Sequence, residues 1–76
     1  MKLEYKYIRF QLVKHLPKTD VYDVVIIDSG GVLGQVKWFP QWRKYSFFPV
    51  QCTVYEKQCL RDIANFCEQL MEYRRG

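Results

Sequence analysis

The chain has 76 residues, 49% of them hydrophobic and 17% aromatic, with a net charge of +4. That length gives one domain, residues 1–76, able to bury only about 60% of the surface of its unfolded form, and its thirteen Phe, Tyr and Trp residues supply a core that excludes disorder. Three cysteines, an odd number, exclude a closed disulfide framework, and no run approaches the roughly 18 apolar residues of a membrane span.

The first segment, Leu3 to Val13, reads as a strand whose alternation slips. Tyr5 and Tyr7 share one face, whereas Ile8, Phe10 and Leu12 share the other, so a bulge or a differently packed N-terminal portion is expected. His15-Leu16-Pro17-Lys18-Thr19-Asp20 supplies turn chemistry. Val21 to Ile27 follows as the strongest strand signal, with four consecutive β-branched residues, Val24 to Ile27. Asp28-Ser29-Gly30-Gly31 then forms a tight turn, and Val32 to Trp38 pairs back across it as a hairpin. In that third strand Gly34, Val36 and Trp38 fall on one face, with Leu33, Gln35 and Lys37 on the other. After the break at Phe39-Pro40-Gln41-Trp42, Arg43 to Phe48 offers a fourth strand, ended by Pro49.

From Leu60 the period becomes helical. Leu60, Ile63, Cys67 and Leu70 form an apolar stripe flanked by Cys59 and Phe66. Thr53-Val54-Tyr55-Glu56 fits a capping box, which sets the helix at about Val54 to Arg74, with Arg74 and Arg75 at its negative end and Gly76 beyond. The expected fold is α+β: an antiparallel meander of three to four strands with one apolar face covered by one long C-terminal helix.

Little in this pattern suits catalysis. Cys59 and Cys67 lie about two turns apart beside the apolar stripe, where a thiol behaves as a small hydrophobe. His15 falls in a polar loop, and the cysteine spacings match no zinc cluster. Asp20, Asp23 and Asp28 bracket the second strand without a second acidic cluster to make a metal pair. Gly30-Gly31 with Gly34 is a turn and not a phosphate loop, since no helix and no Gly-Lys-Ser/Thr follow it. No catalytic residue, metal or cofactor is expected, and the chain reads as a non-enzymatic binding module. The N-terminus alternates charge and apolarity without the apolar core of a signal peptide, so reduced thiols and a cytoplasmic location are expected.

The binding surface is expected in the middle of the chain. No acid lies between Asp28 and Glu56, a stretch that holds Lys37, Arg43 and Lys44. Lys37 to Tyr45 interleaves those cations with Trp38, Phe39, Trp42 and Tyr45, a mixture in which cations meet phosphates while rings stack on bases. Lys37, Trp42, Arg43, Lys44 and Tyr45 are therefore the expected binding residues, with nucleic acid as partner. The same surface could instead engage a protein, because exposed aromatic and arginine clusters are common hot spots. The bland alternative places Trp38 and Tyr45 or Phe47 in the core and leaves the cations merely solvated. Surplus tyrosine surface around Tyr5, Tyr7 and Tyr22 also admits a homodimer.

The segments Val32-Leu33-Gly34-Gln35-Val36-Lys37-Trp38, Trp42 to Pro49 and Cys59 to Phe66 together read LG-x-VKW…WRKY-x-FFP…CLRDIANF. That pattern, spanning about residues 32–70, resembles small uncharacterised proteins of phages and other bacterial mobile elements. The resemblance implies such an origin and no particular activity. In shape alone, strands followed by a long helix is similar to some integrase N-terminal domains and to plant ethylene-response DNA-binding domains.

Overall fold

The computed structural model describes residues 1–75, the last by its backbone only. The Arg75 side chain and Gly76, expected at and beyond the end of the helix, lie outside the described residues. Four strands, β1 (Ile8–His15), β2 (Asp20–Ile26), β3 (Val32–Phe39) and β4 (Lys44–Pro49), precede one helix, α1 (Lys57–Arg75). The strands form one antiparallel sheet in the order β1-β2-β3-β4, the expected meander.

The slip near the N-terminus is a turn rather than a fault within a strand. The Tyr5 N–H donates to the Ile8 carbonyl at 2.8 Å, and the Phe10 N–H donates to the Leu3 carbonyl at 2.8 Å. Residues 3–4 therefore fold back along β1, and β1 begins at Ile8 instead of Leu3. Tyr5 is buried while Tyr7 is exposed, so the two do not share a face. Nor do Tyr5 and Tyr22 form surplus surface, because both belong to the core.

Two bulges adjust the registers. Val13 is the extra residue of β1, between Leu12↔Tyr22 and Lys14↔Val21. In β3 the extra residue is Leu33, between Val24↔Gly34 and Val25↔Val32. That bulge turns Leu33 into the core, away from the face that strict alternation with Gln35 and Lys37 predicts. Gly34 is required for space: a Cβ there would meet the Phe48 carbonyl oxygen at 2.4 Å and the Phe47 ring at 2.8 Å.

Helix α1 starts three residues later than expected. The Thr53 hydroxyl donates to the Val50 carbonyl at 2.7 Å and caps nothing. Glu56 is the cap instead, its carboxylate accepting the Cys59 N–H at 2.7 Å. The buried stripe is also rotated from expectation. Phe66, placed on the flank, is fully buried, whereas Leu60 is half exposed. Cys59, Ile63, Phe66 and Leu70 recur at i, i+4, i+7 and i+11, with Cys67 and Met71 alongside. The Phe66 ring stacks on Phe10 with centroids 3.9 Å apart and meets Tyr22 edge-on at 4.9 Å. Around this stack the Tyr5 hydroxyl donates to Asn65 Oδ1 at 2.6 Å and accepts from Gln69 Nε2 at 2.7 Å. These bonds fasten the N-terminal turn to the helix.

Truncating Phe66 to Ala removes the centre of this interface and is expected to cost about 3–5 kcal/mol, against roughly 0.5 kcal/mol or less for Leu60→Ala; urea melts of the two variants check the register. The Gln58 and Cys59 N–H groups hold the Glu56 carboxyl below the usual carboxylate range. A depressed carboxylate stabilises the fold above its unfolded value of about 4.3, and that contribution disappears as pH falls through the lower folded value. Glu56→Gln is therefore expected to lose less stability than the parent on acidification from neutral pH to about pH 3, followed by thermal melts across that range.

Candidate nucleic-acid interface

Pairing fixes which side chains share a face, because residues opposite each other in a sheet point the same way. One face, carrying Phe10, Val24, Val36 and Phe47, lies under α1. The other carries the cross-strand sets Arg9, Val25 and Val32; Gln11, Asp23, Gln35 and Phe48; Lys37 and Ser46; and Phe39 and Lys44. No helix of the described residues covers it. Val21 and Val25 are nonetheless buried there, among longer polar side chains. Asp23 is the single acid among the described strand residues of this face, and it accepts a hydrogen bond from Gln35 Nε2 at 3.0 Å.

Four of the five expected site residues gather at one corner of the open face. Lys37 and Lys44 lie on it by register, and the Lys37 ammonium sits 4.7 Å above the Phe48 ring. Trp42 and Arg43 form the connection between β3 and β4. Trp42 is 68% exposed, its ring edge-on to Phe39 at 4.9 Å, and Phe39 in turn meets Phe48 at 5.8 Å. Three aromatic rings therefore run in contact across the corner, with cations on both sides.

Tyr45, the fifth expected residue, is elsewhere. It points to the helix side, is buried, meets Trp38 edge-on at 5.5 Å, and its hydroxyl accepts the Asp20 N–H at 3.1 Å. Phe39 and Phe48 take its place beside the cations. Their position was available from alternation, since Lys44, Ser46 and Phe48 share one face of β4. Counting Phe39 with the turn, one residue too early, hid its part in the ladder.

The turn carries a further signal. In the hairpin between β2 and β3, the Gly30 N–H donates to the Ile26 carbonyl with Gly30 in the left-handed region at φ +76°. The hairpin between β3 and β4 repeats this bond from Arg43 to Phe39 at 2.9 Å, with Arg43 at φ +54°. Glycine occupies such a position freely, while a residue with a Cβ is strained by about 1–3 kcal/mol. Arginine thus stands at the more costly of two equivalent positions, and Cys52, at φ +64°, takes the same conformation in the loop before α1.

The other candidate groups lie apart from this corner. His15 ends β1, exposed, and its Nδ1 bonds the Asp20 carboxylate. All three cysteines are free, and burial pushes the Cys67 thiol up to about 11, so it stays protonated among its apolar neighbours. Among the described residues, no group of His, Cys, Asp and Glu is placed to hold a metal ion, and no helix is long and apolar enough to cross a membrane.

If Trp42 and Arg43 serve binding rather than folding, Trp42→Ala is expected to shift the melting temperature by less than about 3 °C, and Arg43→Gly to leave it unchanged or raise it. Differential scanning calorimetry distinguishes this from a core role, which would show as a large drop for either variant.

No family model matches the chain, and no solved structure matches it. The chain is 33% identical over 72 residues, covering 92% of its own length and 91% of the relative's, to the "Uncharacterized 9.3 kDa protein" of Acholeplasma phage L2.

Proposed function

The chain belongs to the family of small phage proteins that includes the 9.3 kDa protein of Acholeplasma phage L2, and we propose that it is a non-enzymatic module that binds nucleic acid through the open face of its sheet. The observation that supports this reading is the corner where the exposed Trp42 ring stands against Phe39 and Phe48, between Lys37 and Lys44 and beside Arg43. Unpaired bases stack on such rings, and phosphates meet the flanking cations. Arg9 and Lys14 extend the positive face along β1. Single strands suit this surface better than duplex, because stacking on its rings needs a base free of its partner.

A protein partner remains the second reading, favoured by the same exposed tryptophan, which is a typical interface anchor. Salt separates the two. Phosphate binding weakens linearly in log affinity against log salt, with a slope of roughly −0.7 for each phosphate neutralised on a single strand. Fluorescence anisotropy of labelled single- and double-stranded oligonucleotides, titrated at low and moderate salt, is expected to show salt-sensitive binding that is tighter for the single strand. Lys44→Ala should reduce the slope by about 0.7, and Trp42→Ala should weaken binding by about 1–3 kcal/mol per stacked base. Absence of binding at low salt, where the electrostatic contribution is greatest, would direct the search to proteins.

A further inference from the structure

A second concave site lies at the same end of the sheet but on its other face. The β1–β2 loop and the last turn of α1 border an open cleft of about 560 Å³ lined by His15, Lys18, Asp20, Leu70, Tyr73 and Arg74, among others. This volume falls within the roughly 300–1,000 Å³ typical of small-molecule sites. Its arginine is held in place: the guanidinium lies 4.1 Å from the Trp38 ring centroid, and its Nη1 donates to the Lys18 carbonyl at 3.2 Å. One of five N–H donors is thereby used, and the planar fork remains to take a phosphate in bidentate fashion. The acid of the cavity is already engaged, since the Asp20 carboxylate bonds His15 and its N–H bonds the Tyr45 hydroxyl. The Asp20 carboxylate and the last carbonyls of α1, the latter with about half a charge, oppose an anion, against the full charges of Lys18 and Arg74. Tyr73, 63% exposed, and the buried Leu70 offer an apolar wall to a planar body.

We propose that this cavity binds a nucleotide-sized phosphate ester, with the phosphate on Arg74 and Lys18 and the base against Tyr73. The site is independent of the open face, which lies on the other side of the sheet. The test is a titration of the full chain with adenosine 5′-monophosphate, adenosine and inorganic phosphate, followed by the NMR signals of the His15 and Tyr73 rings. The monophosphate is expected to shift both, with adenosine and phosphate each at least about tenfold weaker, because each makes half of the contacts. Arg74→Ala should weaken the monophosphate about tenfold or more and Arg74→Lys should recover only part of this, because lysine keeps the charge and loses the fork. Lys18→Ala, in an exposed loop, provides a second variant should Arg74→Ala fail to fold, and Lys57→Ala, at the opposite end of α1, should leave the affinity unchanged. A 5′-phosphorylated dinucleotide that binds more tightly than the monophosphate would place a strand end in the cavity, and the reverse a free nucleotide; either supports the site. The proposal is overturned by absence of shifts with the monophosphate, by phosphate alone binding as tightly, or by unchanged affinity in Arg74→Ala, or in Lys18→Ala where that variant stands in. Weaker, less salt-sensitive oligonucleotide binding on Lys44→Ala with monophosphate binding intact would separate this cavity from the open face.

Discussion

A single helix can cover only one face of a sheet, and the position of Phe66 determines which. Its ring stacks flat on Phe10 and meets Tyr22 edge-on, so α1 is tied across β1 and β2 at its middle and reaches Trp38 of β3 through Arg74 at its end. A helix of 19 residues is about 28 Å long and 10–12 Å wide, while four strands at about 4.8 Å spacing form a similarly broad surface. The covered face thus takes in the apolar side of most of the sheet, with Leu12 of β1 left half exposed at its edge. No helix of the described chain is left over for the other face, where Val21 and Val25 are buried and Val32 is exposed. An open face bearing Arg9, Lys37 and Lys44 is therefore a consequence of how the core is closed, and the candidate interface follows from the same packing that stabilises the fold.

How much of this was legible in the sequence depended on whether a residue obeys simple periodicity. The β2–β3 hairpin was readable because Val24 to Ile27 and the glycine turn combine two independent signals. The helix was readable as an element but not in its rotation. Leu60 and Cys67 fit an i, i+7 stripe as well as Phe66 does, and only the stack on Phe10, formed by residues 56 positions apart in sequence, decides between them. Glu56 was recognised as a capping residue, but the partner assigned to it was wrong, because Thr53 is drawn to the Val50 carbonyl and the helix begins beyond it. Leu33 and Tyr5 were misplaced for a common reason. A bulge and a tight turn each displace alternation by one residue; the turn shows in the sequence as the slip of phase before Ile8, whereas the bulge at Leu33 leaves no local trace.

The candidate site was legible in its cations and less so in its rings. Lys37 and Lys44 fall together because the register of β3 on β4 places Phe39 opposite Lys44 and Lys37 opposite Ser46, a pairing fixed by the length of the intervening turn. The same register sends Tyr45 inward with Trp38, where its hydroxyl accepts the Asp20 N–H. An aromatic residue amid basic ones looks like a binding residue in the sequence, but in a strand its neighbours at i−1 and i+1 lie on the opposite face. Interleaving along the chain thus becomes segregation in space: Lys37, Phe39, Lys44 and Phe48 outward, Trp38, Tyr45 and Phe47 inward.

That segregation also places two arginines at one end of the molecule under different constraints. Arg43 holds a left-handed conformation that the equivalent glycine of the neighbouring hairpin takes without strain. Arg74 lies over the Trp38 ring, 4.1 Å from its centroid, and is bonded to the β1–β2 loop. Arg74 has thereby lost side-chain freedom that a solvated arginine keeps, whereas Arg43 is set only in its backbone. A cation present only for solubility needs no strained backbone and no fixed orientation, whereas one that must meet a phosphate gains from having its geometry set before the ligand arrives. The +4 net charge of the chain is modest. The proposed anionic partner therefore rests on how these two residues are set, Arg43 by its backbone and Arg74 by its contacts, more than on the amount of charge.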